Sequence, residues 1–224
     1  MIDALSLCHL YLDAKRFVIR AGFGWEVDWQ ANINLEDLTE QKFLREYSWV
    51  VLNAGFREVT IRQLFPAFEQ CFGGWSSATS VWTSRMQCKR KSLAIFGNRR
   101  KVNAILSTCG VVAERGFLSV RRDIVQNGPD ALLPFPFMGP ATSLHLAKNL
   151  GMQIVKPDRH LLRIAAAVGF RSPLDMCQTV QRHVGDTLSE IDVVFWRFAT
   201  LKPDWPKYFQ ELMRRRCIPP INQL

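Results

Sequence analysis

Apolar residues recur at three- and four-residue spacing along most of this chain, and strict alternation is rare. Ile61, Leu64, Phe65, Phe68 and Phe72 fall on one face of a helix. The spacing predicts a helix over about 41–54, then one opened by Thr60 as its cap, with Pro66 removing a hydrogen bond inside it. Gly73 and Gly74 end that helix, and the Ser/Thr-rich stretch from Ser76 to Ser84 reads as a loop. The segment Leu93–Leu106 enters another amphipathic helix, and two more fit around Arg115–Asn127. Further on, 161–168, 173–184 and 190–201 carry helical periodicity, and a basic helix through Arg214, Arg215 and Arg216 ends the pattern. The first 35 residues are the least legible. There Phe17-Val18-Ile19 looks extended, and Asn34-Leu35-Glu36-Asp37-Leu38 reads as a capped helix start. With few strand candidates, the expected fold class is all-α.

Composition narrows the class. The 224 residues are 48% hydrophobic, enough for a substantial core. Lys and Arg number 29 against 20 Asp and Glu, a net charge of +9 that favours an anionic partner, nucleic acid first. No apolar run approaches the roughly 18 residues of a membrane span, and the segment MIDALSLCHLYLDAKR makes a poor signal peptide. The expected location is therefore cytoplasmic, with no membrane partner. Six cysteines (Cys8, Cys71, Cys88, Cys109, Cys177, Cys217) lie far apart without a CxxC pair, which argues for reduced thiols and against a disulfide scaffold, zinc ribbon or iron–sulfur cluster. No metal site is expected, and no cofactor.

Chemistry concentrates between Phe135 and Arg163. A turn punctuated by Pro134, Pro136, Gly139 and Pro140 leads into an apolar helical run, and a connector then delivers Asp158 to the start of a second helix. Unpaired N–H groups at the first helix start form an anion site that needs no charged side chain. Asp158, following Pro157, is either the N-cap of its helix or a reactive carboxylate, and the two roles are compatible. The turn is either a backbone clamp for nucleic acid or an ordinary helical corner.

The residues Phe135-Pro136-Phe137-Met138-Gly139-Pro140-Ala141-Thr142-Ser143, followed by Asp158-Arg159-His160-Leu161-Leu162-Arg163, resemble the helix-hairpin-helix and the Asp-x-His-apolar-x-Arg signature of the HhH-GPD superfamily of DNA glycosylases. Val51–Trp75 and Ile95–Leu106 resemble the N-lobe of the same superfamily, nearest its 3-methyladenine glycosylase I branch. The resemblance implies a two-lobed helical fold around a central cleft. It places an N-terminal segment at 1–45, the catalytic core at 46–200 with its hairpin at about 134–150, and a basic tail at 201–224.

The same resemblance implies double-stranded DNA as partner, a monomer associated with the nucleoid, and hydrolysis of an N-glycosidic bond after base flipping. Asp158 would be the catalytic carboxylate, stabilising positive charge on the sugar and orienting water. Phe137, Gly139, Ala141, Thr142, His160 and Arg163 would hold DNA, with Arg99, Arg100 and Lys101 adding phosphate attraction. For His160 and Arg163, packing or solvation is an equal reading. Trp49, Asn53, Trp25, Trp29 and Tyr47 are candidates for the base pocket, although most aromatic residues simply build cores. Family hairpins also hold a monovalent cation on their carbonyls.

Three departures shape the expectation. Phe137 replaces the first hairpin glycine. Ala141 stands where bifunctional members carry lysine, so no Schiff base forms there and a monofunctional enzyme leaving an abasic site is expected. Val50 replaces the base-reading glutamate of the 3-methyladenine branch, and that branch's zinc ligands are missing. An alkylated purine is the default substrate, and a hypermodified pyrimidine of phage DNA, cleaved in defence rather than repair, is the other. The competing reading is a non-catalytic DNA-binding module that recognises abasic or distorted DNA, with Asp158 only a cap.

Overall fold

The computed structural model describes residues 2–216, with side chains described through Glu211. Every regular element in it is helical, and no strand occurs among the described residues. No described helix is long and apolar enough to cross a membrane. The chain forms two compact units: Ile33–Met152 is one, and the segments up to Asn32 and from Gln153 onward form the other.

The continuous unit contains α3 (Glu40–Asn53), α4 (Glu58–Gln70), α5 (Ala78–Thr83), α6 (Arg85–Ile95), α7 (Arg99–Arg115), α8 (Phe117–Asn127) and α9 (Pro140–Asn149). Helix α3 packs against α4, α7 and α9. Its apolar stripe supplies Phe43, Tyr47, Val50 and Val51, all fully buried. Phe72 and Trp75 stack at 4.3 Å between ring centres beside this core. Val50 is therefore a core residue.

The discontinuous unit joins α1 (Ala4–Val18) and α2 (Gly24–Asn32) to α10 (Arg159–Ala167), α11 (Pro173–Val184), α12 (Leu188–Leu201) and α13 (Trp205–Arg216). Helix α12 is its centre, packed against α1, α2, α10 and α11, and correspondingly buries residues on most of its faces. Tyr11 meets Phe195 edge-on at 5.5 Å, and Phe198 stacks on Phe209 at the same spacing. Arg197 and Glu26 form a buried charged pair, bonded at 2.7 and 2.5 Å, with the guanidinium against the rings of Phe23 and Trp196.

Several helices end where their sequences direct. Asn98 caps α7, Thr187 caps α12, and Ser172 with Pro173 opens α11, which Gly185 closes at φ +88°. Four expectations fail for local reasons. Phe17-Val18-Ile19 is helical, because Tyr11, Ala14 and Val18 continue one buried face of α1. Helix α4 starts at Glu58 with Arg57 as N-cap, so Thr60 lies inside it. The Ser76–Ser84 stretch holds α5, whose cap is Ser77 and whose Ala78 and Val81 are buried. A single helix, α8, occupies 117–127 where two had been expected. The Asn34 cap does form, opening a short 3-10 turn over Leu35–Asp37. Cys217 and the side chains of Arg214, Arg215 and Arg216 lie outside what the structure describes.

Candidate functional site

The hairpin turn belongs to the continuous unit. The Met138 N–H donates to Phe135 O at 3.1 Å, closing a turn with Pro136 at its second position and Phe137 at its third. Phe137 adopts φ +63°, the left-handed conformation a type II turn demands at that place, where glycine costs least. The turn thus keeps the geometry of a glycine hairpin while projecting a ring that is 38% exposed. From inside, the Tyr47 hydroxyl donates to Pro136 O at 2.8 Å. Tyr47 is fully buried against Phe43 and Phe135. It braces the turn, and this corrects its assignment to a base pocket.

Gly139 caps α9 without a side chain, and Pro140 follows as the first helical residue. The Thr142 hydroxyl receives the Gly139 N–H at 2.7 Å and lies 2.8 Å from Phe137 O and 3.2 Å from Gly139 O. The Ala141 and Thr142 N–H groups have no acceptor among the described residues, and Ala141 is exposed. Two free donors at the positive end of a ten-residue helix favour an approaching anion. The single Thr142 hydroxyl proton serves either Phe137 O or Gly139 O, and Gly139 O also accepts the Ser143 N–H.

Lys101 departs most from expectation. It is 3% exposed, and its ammonium donates to Leu52 O at 2.7 Å and Ala54 O at 2.5 Å, closing the carbonyl end of α3. Burial pushes its pKa down to about 8. It lies 4.4 Å from the Phe56 ring centre and 6.0 Å from that of Phe137. Lys101 is committed to the fold and is not a free phosphate contact, which corrects that assignment. Arg99 and Arg100 are exposed as expected and line a hollow of about 560 Å³ with Phe56, Phe96, Gly97 and Asn98.

Trp49 is half-buried, edge-on to Phe65 at 5.1 Å with the Arg62 guanidinium over its ring. Asn53 donates to Trp49 O at 2.9 Å, and its buried Oδ1 has no partner among the described residues. Trp25 and Trp29, four residues apart on α2, are 50% and 40% exposed in the other unit.

In that unit Asp158 begins α10. Its Oδ1 accepts the His160 N–H at 2.9 Å and the Leu161 N–H at 3.0 Å, a double N-cap. Oδ2 has no hydrogen bond among the described residues, and the side chain is half-buried. The connector reaching it is pinned to α12. Buried Asp192 accepts the Lys156 N–H at 2.7 Å, and Ser189 Oγ accepts the Ile154 N–H at 3.2 Å. His160 and exposed Arg163 follow on α10 and line a hollow of about 290 Å³ with Arg159, Thr200 and Trp205. Desolvation first, and then the neighbouring Arg159 and Arg163, lower the His160 pKa against the opposing pull of Asp158. Arg163 lies 5.8 Å from the Trp205 ring centre.

No protein-family model, curated protein or solved structure matches this chain. The structure brings together, within one unit, the hairpin, Lys101, Asn53 and the Arg99–Arg100 hollow, and within the other Asp158, His160 and Arg163. Among the described residues no group of three or more His, Cys, Asp or Glu is placed to hold a metal.

Two structural residues escaped the sequence reading. Asp192 is a lone acid in the apolar run IDVVFW, a pattern that signals a buried anchor. Glu46, 5% exposed, accepts from Asn149 Nδ2 at 2.9 Å and ties α3 to α9. Burial raises its pKa against the opposing pull of Arg45 and Asn149. Its signal was likewise an acid inside an apolar helical face.

Proposed function

We propose that the protein is a monofunctional DNA glycosylase that flips a damaged or modified base and hydrolyses its N-glycosidic bond. The observation that carries this reading is at Asp158. One carboxylate oxygen is spent on the helix cap, which fixes its position, and the other is uncommitted. A fixed half-buried anion suits stabilisation of the sugar cation that develops as the bond breaks, and the free oxygen suits orientation of water. The open start of α9 supports backbone binding through Ala141 and Thr142 N–H. Double-stranded DNA is the proposed partner of a monomeric, cytoplasmic, nucleoid-associated enzyme with two lobes of the HhH-GPD type.

The absence of an amine at position 141 supports hydrolysis without strand cleavage. Lys101 lies near the turn, yet its ammonium is held by two carbonyls, so it does not replace that amine. Alkylated purines are the first substrates to test and hypermodified pyrimidines of phage DNA the second. Bases released from such DNAs are identified by mass spectrometry. Release by the parent and loss in Asp158→Asn supports the proposal. A parent protein that binds DNA but releases no base from any substrate supports a binding module instead, a reading favoured by the completeness of the Asp158 cap.

A further inference from the structure

Between Glu69 and Glu114 the chain has no acidic residue but seven cations: Arg85, Lys89, Arg90, Lys91, Arg99, Arg100 and Lys101. This one segment supplies seven of the nine net positive charges. Lys101 is consumed inside the unit, whereas Arg85, Arg90, Lys91, Arg99 and Arg100 are exposed. None of these five has a carboxylate partner among the described residues. By contrast, Arg45 is paired with Glu46 and Glu69, and Arg62 with Glu58. The concentration on α6 and the start of α7 is therefore a local excess of positive charge, not an even coating.

The corner between these helices is also shaped. Phe96-Gly97-Asn98 and the Arg99–Arg100 pair face Phe56 across the hollow of about 560 Å³. Phe56 is 45% exposed in spite of its size. Its ring is held in place by the Lys101 ammonium at 4.4 Å and by a T-shaped contact with Phe96 at 5.2 Å. A fixed, half-exposed ring beside two unpaired guanidinium groups matches what single-stranded nucleic acid needs: a stacking face and a phosphate track.

We infer that the α6–α7 corner is a second nucleic-acid site, in which an unpaired base stacks on Phe56 while the adjoining phosphates are held by Arg99 and Arg100, with Arg90 and Lys91 of α6 adding to the positive field. Its ligand is unpaired nucleic acid, as in a gap or a melted stretch, and it uses neither Asp158 nor the hairpin. Charge alone would accept any polyanion; the aromatic ring makes the site prefer a strand whose bases are free to leave the stack.

The test is fluorescence anisotropy of the full chain with a labelled duplex, the same duplex carrying a short single-stranded gap, and vesicles of phosphatidylcholine with phosphatidylserine. Gapped DNA should bind about tenfold more tightly than duplex, the scale of one stacked base. Phe56→Leu fills the space without stacking and should abolish the preference while leaving duplex affinity in place; Phe56→Tyr should retain it. Arg99→Gln with Arg100→Gln should weaken both DNAs and reduce the salt dependence by about two phosphate contacts. Asp158→Asn should bind as the parent does, so loss of base release and loss of this site are read separately. Equal affinity for gapped and intact duplex, a preference that survives Phe56→Leu, or binding to the anionic vesicles with none to the oligonucleotides overturns the inference.

Discussion

The helix starts of α9 and α10 solve the same physical problem in opposite ways. Each begins with N–H groups that its own helix cannot satisfy. At α9 the cap is Gly139, which has no side chain, and two donors are left facing outward. At α10 the cap is Asp158, which takes two donors on one oxygen and neutralises the positive end. An open start attracts an anion from outside; a closed one holds its own anion still. A third terminus, the carbonyl end of α3, is closed by the opposite charge on Lys101. Which ends the fold leaves open is thus more informative about ligands than how many helices it has.

Breaking the closed start should have the largest effect on chemistry. Asp158→Asn keeps a capping side chain but removes the charge, and base release should fall at least about a hundredfold if that charge stabilises the transition state. Asp158→Ala should in addition cost about 1 kcal/mol of stability through the lost cap, measured by denaturant unfolding. Equal activity of parent and Asn variant would leave Asp158 a cap alone.

At the α3 end, Lys101→Met should destabilise by about 2 kcal/mol, because Leu52 O and Ala54 O lose their buried donor. The parent should also respond to alkali. Its Lys101 titrates at about 8 when folded against an ordinary 10.5, so across that window the unfolded chain holds more protons. Stability should therefore rise with pH between those values, and the difference between parent and Lys101→Met unfolding curves isolates the effect.

Closing the open start is the next test. Ala141→Asp places a carboxylate among the free donors of α9; DNA affinity should drop about tenfold while helix stability rises by a few tenths of a kcal/mol. Affinity that survives the added charge would remove the turn from the DNA-binding surface. The smallest expected change is at Phe137→Gly, which relieves a left-handed backbone and should gain about 1 kcal/mol, read as a higher Tm. A matching loss of DNA affinity would show that the ring is kept for contact in spite of its strain.

The sequence exposes some of these features more readily than others. Capped helices with one apolar face, such as α7 and α11, were legible because cap, stripe and stop agree over a dozen residues. The hairpin and the Asp158 helix start were legible because Pro, Gly and Asp act on their nearest neighbours. Helix α5 was missed because six residues give too short a stripe to outweigh their serines and threonines. Lys101 and Tyr47 were misplaced for a different reason. Whether a long polar side chain faces water or a buried carbonyl is decided by residues some 50 to 90 positions away, Leu52 and Ala54 for one and Pro136 for the other. No local pattern records that distance.

The unit that carries Asp158 is sewn from two stretches of chain with residues 33–152 between them. During synthesis α1 therefore emerges long before α12, the helix it is to pack against, and its apolar stripe of Leu7, Leu10, Tyr11 and Val18 must stay uncovered in the interval. The continuous unit can close around α3 in that time without either flank. A ribosome-bound nascent chain would then acquire protease resistance in the middle before its beginning, and the acid would be the late arrival.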